Sequence, residues 1–286
     1  MNEIKRVLIH IRWPLQSLTL LGFLFGIVVT RVAFSMELVF GFTSWFLLCA
    51  GITVFNSYYD KDGKPVAGLE KPPPTTTIML AGAWLLKLSG FLISLFLNKT
   101  FLAMYGVGVV LSVVYSHKKI RLKSNGYRAV FVNFCIGAIT FLAASSFSVP
   151  SQEILFYGSI AAGFFLSAMY LMMQVHQKEE DATREDISIM ILHGRQATII
   201  AAIITLIGAA LFSLLSFAES GYHWVYYLIL AIYFIIIIFL NCIWLKKKED
   251  AIADFKIMNT LTLRASYVAN VILAVIYILE TVRLNM

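Results

Sequence analysis

The chain alternates long apolar runs with short polar breaks, and the runs set its architecture. Stretches long enough to cross a hydrocarbon core of roughly 30 Å, which takes about 20 residues of helix, recur at 14–33, 38–57, 78–97, 100–116, 128–149, 153–175, 197–218, 223–245 and 262–282. Within them the apolar residues are continuous rather than alternating. This excludes barrel strands, and lipid tolerates only helices or closed barrels. The pattern predicts an all-α integral membrane protein with nine transmembrane helices. The run after "RVLIHIRWP" is span-length and lacks a small-x-small cleavage pattern before Arg31, so it reads as a retained first helix rather than a signal peptide. No linker or low-complexity segment divides residues 1–286, which predicts one polytopic domain.

Composition agrees: with 59% hydrophobic and only 14% charged residues, a soluble domain would lack polar surface. Charge then orients the bundle. The N-terminus and the connections after spans two, four, six and eight hold 19 of the 23 Lys and Arg residues. Arg31, Lys99 and Arg283 fall on the other side, and Lys87 lies inside the third span. The positive-inside bias predicts a cytoplasmic N-terminus and an outside C-terminus. The net charge of +7 then follows from topology and anionic headgroups, with no need for nucleic acid. Cys49, Cys135 and Cys242 all fall within spans and read as small buried hydrophobes. The five histidines show no metal-ligand spacing.

Polar chemistry concentrates on the basic side. Asn56 and Asp60 end the second span four residues apart, which puts both on one helix face. They read as hard oxygen ligands for Mg²⁺, which takes one or two carboxylates and completes its shell with water and substrate phosphate; the simpler reading is a solvated helix end. Gln177 and Asp181 repeat the spacing after the sixth span, with Glu179, Glu180, Glu185 and Asp186 crowded around them. Such carboxylates repel one another unless something positive is present. Alone they are either a second metal-binding edge or a solvated charge run, and the shared face of the two acidic ends favours the metal. Between them runs Tyr115 to Lys123, "YSHKKIRLK". Its Lys119, Arg121 and Lys123, with Tyr115 as a hydroxyl donor, suit a diphosphate, although a basic flank of a span would look similar.

These three elements, in this order, resemble the UbiA superfamily of intramembrane prenyltransferases over nearly the whole chain. That family carries NDxxDxxxD after its second helix, YxxxK after its fourth and DxxxD after its sixth, in a nine-helix bundle whose central cavity opens to the cytoplasm. Asn56 and Asp60 match the first Asn and the middle Asp, Tyr115 and Lys119 match YxxxK, and Asp181 matches the last acid of the second motif. "YSHKKIRLKSNG" resembles the family's YSxxxxRLKxxG. The departures are Ser57 in place of the first Asp, Lys64 in place of the third, Gln177 where the second motif begins with Asp, and "GLEKPPP" in place of an Arg-Pro-rich element. Asp62, Glu179 and Glu180 are nearby carboxylates able to compensate.

The resemblance implies an enzyme that uses Mg²⁺ held by Asn56, Asp60, Asp181, Glu180 and Gln177. It further implies catalytic roles for Asp60, Asp181 and Lys119, and diphosphate binding by Tyr115, Lys119, Arg121 and Lys123. The expected reaction ionises an isoprenyl diphosphate and transfers the prenyl group to an aromatic or quinone-precursor acceptor within the lipid bilayer, with the loop after Asp60 as a lid. A terpene cyclase of the same fold, in which the donor's own double bond captures the cation, is the alternative. A transporter would place ionisable groups along a mid-membrane path, and only Lys87 answers that description.

Overall fold

The computed structural model describes residues 2–61 and 65–284, except for the side chains of Glu179, Glu180, Thr183 and Leu284. Its helices are α1 (Glu3–His10), α2 (Trp13–Val29), α3 (Met36–Asp60), α4 (Thr77–Ser94), α5 (Lys99–Ser116), α6 (Gly126–Ser145), α7 (Gln152–Gln174), α8 (Lys178–Thr183), α9 (Ile189–Glu219), α10 (Trp224–Lys246), α11 (Ala251–Asn259) and α12 (Ala265–Leu284). A short polar residue opens most of the long ones. Ser35, Asn98, Asn125, Ser151 and Ser188 each accept a first-turn N–H of the helix that follows, which satisfies a donor that has no partner within the helix.

Among the described residues, eight helical segments are long and apolar enough to cross a membrane, so this is a multi-pass membrane protein. The expected first span, 14–33, falls on α2, which meets α1 at 47°; the bent pair makes a ninth crossing if counted together. The bend has a local cause. Arg12 is left-handed at φ 53°, and Pro14 follows in the first turn of α2, where its missing N–H does no harm. Two expected boundaries shift. The seventh span starts at Ile189 instead of 197, with a break at Gly194, whose φ of 79° interrupts the helix. The last begins at Ala251 and runs through a π-turn at Thr260–Arg264 into α12.

Small residues let the helices approach one another. At Gly137 a Cβ would fall 2.3 Å from the carbonyl oxygen of Ala162, so α6 lies backbone to backbone on α7. Large apolar side chains such as Phe131, Phe156, Ile204 and Phe239 point outward, as a lipid-facing belt requires. The described residues form no sheet. One isolated bridge matters: Gly126 N donates to Ile187 O and Ile187 N to Ser124 O, each at 2.8 Å. It ties the α5–α6 connection to the segment before α9, at the end of the bundle where α3, α5 and α7 finish.

Candidate functional site

The end of α3 supplies the first pair. Four-residue spacing turns Asn56 and Asp60 to one side, and Lys123 Nζ bridges them: it donates to Asn56 Oδ1 at 2.7 Å and pairs with Asp60 Oδ1. Ser116 Oγ, the last residue of α5, also donates to Asn56 Oδ1 at 2.8 Å. Arg121 lies 3.7 Å from Asp60 and clamps Asp186 with two hydrogen bonds, Nε to Oδ1 at 3.0 Å and Nη2 to Oδ2 at 2.7 Å. Those bonds hold the Arg121 pKa above its ordinary value. Asp60 and Asp186 thus each meet a positive partner.

Asn56, Asp60, Tyr115, Lys123, Gln177 and Asp181 all line one cavity of about 1350 Å³, mouth included. Asp181 N bonds to Gln177 O at 2.9 Å, so the second i,i+4 pair lies on a helical turn, and it shares the cavity with the first. Tyr115 stands edge-on to Tyr170, with ring centroids 6.5 Å apart, and Gln174 donates to the Tyr170 hydroxyl at 2.6 Å. Val66 and Ala67, from the loop after Asp60, form part of the wall. The side chains of Glu179 and Glu180, and the whole of Asp62 and Lys64, lie outside the described residues.

Lys119 departs from expectation. YxxxK spacing places its side chain beside Tyr115 only if the helix continues, but α5 stops at Ser116 and His117 is extended at ψ 130°. Lys119 is therefore exposed and does not line the cavity. Arg121, left-handed at φ 39°, folds the chain back through a 3₁₀ turn at Leu122–Ser124, and Lys123 arrives at the place that the pattern reserved for Lys119.

Sequence reasoning missed Arg12. It is buried at the α1–α2 bend, lines the cavity, and donates from Nη2 to Ser57 Oγ at 2.9 Å. Ser57 is the position at which a carboxylate was expected, so a cation now lies where an acid was looked for. The signal was the break before Pro14; the partner 45 residues on had none. Arg184, Asp186, Asn133 and Tyr170 also line the cavity.

Among the described residues, no three His, Cys, Asp or Glu side chains converge to hold an ion. A protein-only cage is therefore not what they offer. They do fit Mg²⁺, which uses one or two carboxylates and leaves other positions to water and substrate phosphate. The Lys123 ammonium, seated between an amide oxygen and a carboxylate, marks where those donors receive a cation.

Below the polar rim, Leu18, Thr19 and Leu166 line both this cavity and a second, apolar chamber of about 650 Å³. The chamber lies among α2, α6, α7, α9, α10 and α12 and is walled by residues such as Phe25, Phe165 and Phe234. The site therefore pairs a charged head with a greasy extension.

No functionally curated protein matches the sequence. Solved structures do match in fold. A UbiA homologue from Archaeoglobus fulgidus bound to GPP and Mg²⁺ shares 18% identity, covers 92% of this chain and 99% of its own, and superposes with a TM-score of 0.66. An apo UbiA homologue from Aeropyrum pernix K1 gives 16%, 93%, 98% and 0.69. A digeranylgeranylglyceryl phosphate synthase gives 19%, 94%, 99% and 0.64. At these identities the likeness establishes the fold. A sequence profile of the UbiA prenyltransferase family spans residues 17–263, from the first long helix to the π-turn before the last. With most of its length inside that profile, the chain belongs to the UbiA prenyltransferase family.

Proposed function

We propose that this protein binds an isoprenyl diphosphate with Mg²⁺, ionises its C–O bond and passes the prenyl cation to an acceptor, an aromatic ring or quinone precursor. The observation that carries this reading is the two-part cavity: a charged head at Asn56, Asp60, Asp181, Arg12 and Lys123 opening into an apolar chamber. An isoprenyl diphosphate is divided in the same way. The charge distribution of the loops supports entry of the donor from the cytoplasmic side.

The wall is electrically balanced among the described residues, with Arg12, Lys123 and Arg184 against Asp60, Asp181 and Asp186. A diphosphate carries several negative charges, so it must bring a cation with it. Asn56, Asp60, Asp181 and Gln177, joined by Glu180, would hold that ion; Mg²⁺, when bound, offsets charge on the leaving pyrophosphate. The protein's own cations do the rest. Lys123 turns from Asp60 to the diphosphate, Arg12 donates from its place beside Ser57, and Tyr115 adds a hydroxyl. Arg121 holds Asp186 and stays close to Asp60, fixing the loop that carries Lys123. Each donor stabilises charge that grows as the bond breaks. The apolar chamber keeps water from the allylic cation, and the faces of Tyr115 and Tyr170 suit a neighbouring positive centre.

Incubation with Mg²⁺ and farnesyl or geranylgeranyl diphosphate tests the reading. Prenylated product only when a quinone precursor or other acceptor is added supports transfer. Cyclic hydrocarbon without any acceptor would replace transfer by cyclisation of the donor on the same site.

A further inference from the structure

Lys87 is a buried amine that the chemistry above does not use. It sits ten residues into α4, roughly 15 Å along the helix at about 1.5 Å per residue, and is 1% exposed. An unpaired ammonium at such depth is costly, and intramembrane ionisable groups cluster at functional sites. Among the described residues no carboxylate pairs with it. Its Nζ lies 3.9 Å from the centroid of Phe55 and 5.0 Å from that of Trp84, and it donates to Ser112 Oγ at 2.8 Å.

The rest of the setting fixes that amine in place. Tyr105 donates its hydroxyl to the Lys87 carbonyl at 2.7 Å. On α3, Gly51 leaves room for the lysine stem, because a Cβ there would fall 2.7 Å from Lys87 Cγ. Ser112 is the contact that leads outward. It lines the polar cavity, one helical turn deeper than Ser116, which bonds Asn56. Ser112 therefore opens onto the cavity four residues, roughly 6 Å of helix, below the polar head at Asn56 and Lys123.

We propose that Lys87, acting through Ser112, takes up the proton that the reaction releases. The inference rests on the proposed ionisation of an isoprenyl diphosphate, and it holds for transfer and for cyclisation alike. When the C–O bond breaks, its electron pair leaves with pyrophosphate. A π pair of the acceptor, or of the donor's own chain, then forms the new carbon–carbon bond and leaves a second cation; a C–H bond of that cation breaks, its electron pair restores the double bond and H⁺ departs. The proton goes to Ser112 Oγ as the serine hydroxyl proton passes to the Lys87 amine. The resulting ammonium rests on the faces of Phe55 and Trp84. It is reset when the proton returns through the same hydroxyl to pyrophosphate or water. In the arrangement seen, Ser112 accepts from Lys87 and donates to Val109 O at 2.7 Å; one rotation of the hydroxyl reverses the first bond.

The test uses the full chain in nanodiscs with Mg²⁺ and farnesyl or geranylgeranyl diphosphate, plus whichever acceptor the product assay identifies. Lys87→Met should lower kcat for product by about a hundredfold or more, the range of general-base catalysis. Its affinity for unreactive farnesyl thiodiphosphate should stay within about twofold of wild type, since an amine behind the wall is not a binding group for the donor. Lys87→Arg keeps a cation but no usable base, and should be as slow as Lys87→Met. Ser112→Ala should reproduce the loss and Ser112→Thr retain turnover. In Lys87→Ala, small primary amines should restore product formation, more so as their basicity rises. Wild-type turnover by Lys87→Met or Lys87→Arg would overturn the relay. So would thiodiphosphate affinity that falls in step with turnover, or a Lys87→Ala defect that amines leave untouched. Wild-type protein that releases no pyrophosphate from either donor would instead overturn the proposed function, and the relay with it.

Discussion

Replacing Lys123 by Met separates the two jobs of the polar head. In the structure one ammonium joins Asn56 Oδ1, at 2.7 Å, to Asp60 Oδ1. An ion seated on those oxygens must first displace it. Each charge-assisted hydrogen bond contributes roughly 1.5–3 kcal/mol, so displacement without a diphosphate to receive the ammonium costs about 3–6 kcal/mol. At about 1.4 kcal/mol per decade this is a factor of at least about 100 in the dissociation constant. Lys123→Met removes that obstacle, and the variant should bind a divalent ion on its own at least about a hundredfold more tightly than wild type. The same variant should bind farnesyl thiodiphosphate more weakly, because it lacks a donor to the diphosphate. Mn²⁺ titration followed by electron paramagnetic resonance, with and without the thiodiphosphate, reads both effects. Mn²⁺ affinity that is unchanged or weaker in Lys123→Met refutes the argument that this ammonium occupies the place of the ion.

Other parts of the structure give further expectations. Arg195 donates to both oxygens of Asp254, at 2.9 Å each, and Asp254 is 2% exposed; Arg195→Met should destabilise the protein by about 3–5 kcal/mol in thermal unfolding, and Arg195→Met with Asp254→Leu should recover part of it. Leu166 stands where the polar cavity meets the apolar chamber. Leu166→Trp should therefore shift kcat/KM toward geranyl over geranylgeranyl diphosphate by about tenfold or more, and an unchanged ratio would mean that the tail does not use the chamber. Burial pushes the His176 pKa from 6.5 down to about 4, against the opposing pull of the Pro65 and Met173 backbones. Between those values the unfolded chain holds a proton that the folded ring refuses, so this contribution is complete above about pH 6.5 and is lost as pH falls toward 4, by up to roughly 3 kcal/mol. His176→Phe, which keeps the ring contact with Phe255, should melt with a flatter pH profile than wild type.

How far the sequence speaks depends on the range of each interaction. The pairs Asn56 and Asp60, and Gln177 and Asp181, were legible because four-residue helical spacing is local. Lys119 was misread for the same reason: "SHKKIR" holds no Gly or Pro to announce that α5 ends at Ser116. Lys123 reaches the site through a turn that the bridge between Asn125 and Ile187 fixes, and that pairing joins segments distant in sequence. Arg12 had only half a signal, since Pro14 marks the break while Ser57 lies on another helix. The chamber was invisible, because Phe25 inside it and Phe131 on the lipid side look alike in an apolar run. Lys87 did stand out as the lone mid-span charge, but its route to the cavity through Ser112 needs the packing of α4 on α5.

Pyrophosphate release from farnesyl or geranylgeranyl diphosphate, measured with and without Mg²⁺ in wild type, Asp60→Ala and Asp181→Ala, tests the central claim most directly. Mg²⁺-dependent release by wild type that falls about a hundredfold or more in each variant is the predicted result. Release that both variants carry out at the wild-type rate would contradict the assignment of this cavity as the place where the diphosphate leaves.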